Sequence, residues 1–299
     1  MKRSNFEAAI GSSAMTQAIA DIRILSPHSG LDAFRDANRS LARGFTQARR
    51  LAWRFFLRDT RADHRQSLLG YLWLVFPPLA NTLTWVFLNN QKVVNIDSGN
   101  VAYPIFVLSG VILWTAFNGA LMSMLNIVGA ARGFLSKVNF PHESLVYSAF
   151  LKSLLDTALA SLVLIPAFFV FKAAISASMI LFGVALVSSL VLGWTIGLLV
   201  VPIATLYQDV GRAIQVVLRF GFFLTPVIFK LPASGFARHL MLLNPATPIV
   251  VSGRDWLTGS GEAMPGAFIL VMLACVPLLA IGLLFYKVAL PHLIERLSA

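Results

Sequence analysis

Residues 49–79, RRLAWRFFLRDTRADHRQSLLGYLWLVFPPL, open as a cluster of arginines and close as an almost charge-free apolar run. The reading of that junction decides the fold. At 100° per residue, Arg50, Arg54, Arg58, Arg61 and Arg65 share an arc of about 80°, while Leu51, Trp53, Phe55 and Phe56 fill the rest of the first turns. This pattern predicts an amphipathic helix over residues 41–67, lying along a membrane interface with its arginines toward headgroups or a protein below. Asp59 and Asp63 fall opposite the arginines, so the second half is expected to leave the bilayer or pack on protein. The apolar run then enters the bilayer, and Pro77-Pro78 is expected to kink it, because proline removes a backbone donor and crowds the preceding turn.

The rest of the chain has the same character. Of 299 residues, 57% are hydrophobic and 12% charged, with a mean hydropathy of +0.76, far too apolar for a soluble domain. Twelve of the 24 Lys and Arg, and six of the 13 acids, fall in the first 67 residues. A basic flank beside the first span stays on the cytoplasmic side, which predicts a cytoplasmic N-terminus. The charge is juxtamembrane, so anionic lipid or a cytoplasmic protein is the expected partner rather than nucleic acid. Met1-Lys2-Arg3 leads into polar sequence with no apolar segment of signal-peptide type, and residues 1–40 are expected to be a weakly structured cytoplasmic segment. Cys275, alone in an apolar run, reads as a small core residue.

Six apolar segments reach the roughly 20 residues that a helical crossing needs: 68–90, 103–130, 144–171, 178–202, 213–231 and 266–288. The expected fold is therefore an all-α integral membrane protein, with a six-span domain over 68–290 and a cytoplasmic tail at 291–299. Pro166, Pro202, Pro226 and Pro277 predict further bends. The stretch between spans five and six is too apolar for a free loop and too broken by Pro232, Pro245 and Pro248 for a span. It reads as short re-entrant helices on the outer side, where irregular backbone needs protein or a water-filled cavity to satisfy it, an arrangement suited to a gate.

Chemistry-bearing motifs are absent. The spans contain Asp156, with Glu143 and Asp209 at edges, and no paired acids, HExxH, GxSxG or Cys/His cluster. No catalytic or metal-ligating residues are expected, and without a GxxxxGK[ST] loop the chain is not expected to hydrolyse ATP. A conduit is favoured over an enzyme. Lys152 and Asp156, i and i+4, either contact a hydrophilic substrate or pair with each other, the second being the economical arrangement in a membrane. Arg219 has no local acid and either faces a polar pathway or snorkels. Tyr71, Trp73, Trp85, Phe106 and Trp114 belong to a dense set of aromatics whose ring faces can pack on sugars without holding them, or which simply fill belts and core. The stretch AARGFLSKVNFPH, residues 130–142, with Arg132 and Lys137, is short, basic and amphipathic, suited to docking in the groove of a cytoplasmic partner.

These residues resemble a known family. ILSPHSGLDAF, then the opening stretch, then FLSKVNFPHESLVYSAFLKSLLD and LNPATPIV look like the membrane subunit of ABC-2 type exporters of O-antigen, capsule and teichoic acid, from about Ile24 to the end. The most specific part is carried by Arg58, Asp59, Arg65, Gln66, Ser67, Leu69, Gly70, Trp73 and Pro77, and Ala62-Asp63-His64 departs from the family's more basic-aromatic stretch. The resemblance implies a homodimer of permeases in the inner membrane, moving a lipid-linked glycan. It also implies a separate nucleotide-binding ATPase that carries ATP and Mg. By the same resemblance, Arg50, Arg54, Arg58, Arg61, Arg65, Arg132 and Lys137 lie on segments facing the ATPase, and Pro245, Pro248, Arg254 and Trp256 on outer gate helices. The competing readings are an ABC-2 permease for a drug or another small hydrophobic cargo, a passive scaffold subunit, and a membrane glycan transferase, which should show an acid pair and does not.

Overall fold

The computed structural model describes residues 48–62, 67–96, 98, 99, 101–135, 140–172 and 178–298, and every regular element among them is an α-helix. The expectations placed on residues 1–40, Asp63, Arg65 and Lys137 fall outside these residues. The helices are α1 (residues 48–62), α2 (Leu72–Asn90), α3 (Tyr103–Leu125), α4 (Ile127–Leu135), α5 (Glu143–Ser161), α6 (Leu164–Val170), α7 (Met179–Leu206), α8 (Gln208–Leu224), α9 (Phe236–Leu242), α10 (Ala246–Thr258) and α11 (Pro265–Ser298).

Four stretches are long and apolar enough to cross a membrane: α3, α5 continued by α6, α7, and Pro265–Leu290 of α11. The other two expected spans coincide with helices that fall short of this. α2 has 19 residues and carries Asn81, Asn89 and Asn90, and α8 has 17 with Asp209, Arg212, Gln215 and Arg219. Boundaries shift for identifiable reasons. The expected 103–130 span breaks at Asn126 into α3 and α4, and the 144–171 span breaks at Leu162–Val163, where Pro166 cannot donate to the preceding turn. Helix α7 runs through Pro202 and α2 through Pro77 and Pro78. Pro226 lies beyond the end of α8 rather than bending it. The expected span 266–288 is part of the longer α11, which continues to Ser298.

The central helix is α3, most of whose side chains are buried, and α7, α10, α5 and α2 pack around it. The α3–α7 contact depends on Gly193 and Gly197, spaced as a small-xxx-small pair. A Cβ at Gly193 would collide with the Phe117 carbonyl oxygen, and one at Gly197 would stand 2.6 Å from the Met124 Cβ. With no hydrophobic drive between helices in lipid, such close backbone approach is what holds them. Outward faces are apolar, for example Leu72, Phe76, Leu83 and Phe87 on α2 and Ile269, Leu270, Leu273 and Val276 on α11. That exposure is the inverse of a water-soluble bundle.

Helix α8 is short because another segment fills the end of the bundle that carries Tyr103. The chain leaves α8 at Thr225, and the Val227 carbonyl sits where a Cβ on Gly110 would collide with it, about 10 Å along α3 from Tyr103. It passes through α9, returns to the same depth at Asn244, whose side-chain amide donates to Thr225 Oγ1 at 2.7 Å, and runs back as α10. The expected short helices are present, and α10 is a buried member of the bundle rather than a loose flap. We predict that Gly110→Ala lowers unfolding stability in detergent by about 1–3 kcal/mol, because the carbonyl it meets is backbone. Gly119→Ala, with no atom within 4 Å of the new Cβ, leaves stability unchanged or slightly raised, as thermal melts of the two variants will read.

Candidate functional site

A cavity of about 660 Å³ opens between α2, α3 and α8. Its polar lining is Asn81 from α2, Thr115 and Asn118 from α3, and Gln215 and Arg219 from α8, and Trp114, Phe222 and Phe223 supply ring faces. The positions follow from helical spacing: Trp114, Thr115, Asn118 and Met122 share one face of α3, and Gln215, Arg219 and Phe222 one face of α8. The rings brace each other. Trp114 lies 6.2 Å from Phe222, Phe222 5.3 Å from Phe223, and Phe223 6.3 Å from Trp85, all near edge-on. Side-chain amides beside aromatic faces form a surface that hydrogen-bonds hydroxyl groups and stacks on C–H faces. Nothing in this lining can act as a paired acid and base.

At the Tyr103 end, Arg254 is fully buried. Its guanidinium lies 3.9 Å over the Phe106 ring, Nη1 donates to the Pro226 carbonyl at 2.8 Å and the Phe229 carbonyl at 3.1 Å, and Nη2 donates to Glu262 at 3.4 Å. Glu262 also takes Lys230 at 3.4 Å, and its backbone N–H donates to Asp255, so one cation ties the turn after α8 to the loop before α11. Buried irregular backbone needs satisfied carbonyls, and Arg254 satisfies two of them. Phe106 is thereby enclosed beneath Arg254, away from the cavity, and Trp256 packs on Phe268 at 5.0 Å. Pro245 caps α10 and is exposed, and Pro248 is buried within it.

The opposite end is organised around α1 and the start of α5. Ala48, Ala52, Phe56 and Thr60, each four residues apart, form the buried stripe of α1, and Arg50, Arg54, Arg58 and Arg61 remain exposed. Asp59, expected opposite the arginines, pairs with Arg58 at 2.8 Å, and both line a cavity of about 360 Å³ with Asn126, Ser148 and Lys152. The second half of α1 therefore packs on protein, one of the two arrangements its charge pattern allows. Lys152 and Asp156 pair with each other at 3.1 Å, one turn apart. Glu143 pairs with Lys287 at 2.7 Å, fastening α5 to α11. His142 lies edge-on to Phe140, which in turn packs on Phe55 of α1. Burial pushes its imidazole below the ordinary value, against the pull of Glu143.

Of the side chains expected along a pathway, Trp114 and Arg219 line the cavity and Trp85 supports it, whereas Tyr71 and Trp73 are exposed outside its lining. Lys152 and Asp156 stand near α1 instead. Arg132 lies on α4, a helix that overlaps the first part of the expected docking stretch. Asn81, Thr115, Asn118 and Gln215 escaped sequence reading because single amides carry no motif. Their signal was polar residues one turn apart on otherwise apolar helices, Thr115 with Asn118 and Gln215 with Arg219.

A helical bundle with apolar outer faces, four stretches long and apolar enough to cross a membrane, and a polar, aromatic cavity is a multi-pass membrane protein. Comparison with curated proteins gives the kind: the chain is similar to permease subunits of polysaccharide export. It is 26% identical over 219 residues to the O-antigen export system permease protein RfbA of Myxococcus xanthus, covering 71% of this chain and 82% of that one. It is 23% identical over 205 residues to the O-antigen export system permease protein RfbA of Klebsiella pneumoniae, covering 66% and 76%. To the polysialic acid transport protein KpsM of Escherichia coli it is 21% identical over 221 residues, covering 71% and 80%. No protein-family model matches the chain. The resemblance to ABC-2 type permeases drawn from the sequence motifs thus holds among curated relatives.

Two predictions follow from the ends of the bundle. Arg254→Met, which leaves two buried carbonyls without a donor and Glu262 with Lys230 alone, is expected to cost about 2–4 kcal/mol of unfolding stability, with only partial recovery by Arg254→Lys, in denaturant melts of the purified chain. His142 has a depressed folded value, so its contribution is complete above the ordinary imidazole value of about 6.5 and is lost as pH falls through it. Amide protection factors over residues 48–62, corrected for the intrinsic slowing of exchange in acid, should fall on acidification from neutral pH, and His142→Phe should abolish that dependence.

Proposed function

We propose that this chain is the permease subunit of an ABC exporter that moves a polysaccharide, lipid-linked or capsular, across the inner membrane. The observation that carries the reading is the cavity in which Asn81, Asn118 and Gln215 stand beside Trp114, Phe222 and Phe223. Amides exchange hydrogen bonds with a passing chain of hydroxyls, and rings offer contact area without a fixed register, so a polymer slides where a point ligand would be held. A small hydrophobic cargo would leave those amides unpartnered, which disfavours drug export. Similarity to O-antigen export permeases and to a polysialic acid transport protein supports the same class of cargo.

On this reading α2 and α8 complete six crossings, both termini are cytoplasmic, and α9 with α10 re-enters from the outer face as the gate that Arg254 pins. Two copies form the conduit, and a separate ATPase, holding ATP and Mg, docks below α1 and α4 and supplies the energy. The polypeptide itself carries out no bond chemistry.

Deletion of the gene is expected to leave an envelope polysaccharide inside the cell, detected by fractionation and glycan immunoblotting. The double variant Asn118→Leu with Gln215→Leu should lower surface glycan at least tenfold while the ATPase still co-purifies. Unchanged surface glycan in both strains would defeat the assignment. Nucleotide turnover by the purified chain alone would defeat the division of labour.

A further inference from the structure

A second groove, of about 980 Å³, opens between the first turns of α1 and the start of α5, remote from the polar cavity. Arg49, Arg50 and Arg54 form its rim, and Tyr147, Phe150 and Leu151 its floor. The floor is held firm: Phe150 packs 4.4 Å from Trp194, whose indole N–H donates to Ser153 Oγ at 2.9 Å. The rim is uncompensated. One turn further on, Arg58 has Asp59, but among the described residues Arg49, Arg50 and Arg54 meet no ion-pair partner. Three cations over an apolar floor call for a ligand with a negative head and a hydrocarbon body.

The floor does not end at the groove. Leu151 is followed by Leu154, Ala158, Leu162 and Ile165, an exposed apolar stripe that continues down α5 into α6 at helical spacing. Trp53, 52% exposed beside the arginines, marks the level at which indoles sit between headgroup and hydrocarbon. A soluble protein would meet the rim but would leave the stripe bare. A lipid with an anionic head covers both, its phosphate meeting the rim and its acyl chain the stripe.

We propose that this groove seats one anionic glycerophospholipid of the surrounding leaflet, with its phosphate between Arg49, Arg50 and Arg54 and an acyl chain along Phe150, Leu151 and Leu154. Basic pockets beside membrane helices recognise anionic headgroups by the same physics. The seat is independent of what the permease carries, and in it the first two turns of α1 serve lipid, leaving the later turns of that helix to the ATPase below.

The test uses the full chain, with its ATPase, in detergent, and counts retained lipid by native mass spectrometry after addition of phosphatidylglycerol, phosphatidylcholine or glycerol phosphate. Phosphatidylglycerol should be retained selectively. Retention should fall about fivefold for each arginine changed to glutamine, and on the order of a hundredfold for all three. Leu151→Trp, which fills the floor and keeps every charge, should also expel the lipid, and it decides the question should the triple variant not fold. Equal retention of phosphatidylcholine, or full displacement by glycerol phosphate, would overturn the proposal. So would arginine variants that lose the ATPase but keep the lipid.

Discussion

Close approach to α3 is the constraint on which the rest of the molecule depends. In a bilayer, apolar side chains gain little by leaving lipid for each other, so helices associate where their backbones can come near enough for dense dispersion contact. Gly193 and Gly197 bring α7 onto α3, Gly253 brings α10 against Leu113 and Ala185, and Gly110 makes room for the Val227 carbonyl. Because these contacts occupy one side of α3, its other side, with Trp114, Thr115 and Asn118, is left to face α2 and α8 across the polar cavity. The cavity exists because α3 is anchored from behind.

The two ends of the bundle solve the problem of charge differently. At the Tyr103 end a buried guanidinium takes the place of water for carbonyls that no helix satisfies, and Glu262 balances it. At the other end the charges are half-exposed pairs, Arg58 with Asp59 and Lys152 with Asp156, each at a helix surface where solvent reduces their worth. Arg254 is therefore a structural cation, whereas Arg49, Arg50 and Arg54 of α1 meet no acid among the described residues.

Much of this was legible in the chain. The arginine stripe and apolar runs foretold an amphipathic helix and the all-helical class, and the breakers in residues 232–262 foretold the short helices, because periodicity and proline act locally. The Lys152–Asp156 pair was readable from its spacing alone. What escaped was relational. That Phe106 lies under Arg254, 148 positions away in the chain, follows from the fold and from no local pattern. The early end of α8 was missed for the same reason: Phe222, Phe223 and Leu224 prolong an apolar run, but the room beyond is already taken by α10. Single amides in apolar helices look like noise until two helices aim them at one space.

Helix α11 has 34 residues, a rod of about 51 Å against a hydrocarbon layer of about 30 Å. Lys287, fastened to Glu143, lies roughly 33 Å from Pro265, close to where the oily layer stops. The ion pair therefore acts as a fulcrum. Any sideways push on the protruding arm is carried, with opposite sense, to the far tip, where Trp256 rests on Phe268. That leverage is softened at Pro277, which lies between the fulcrum and the tip and takes one donor out of the rod's backbone ladder.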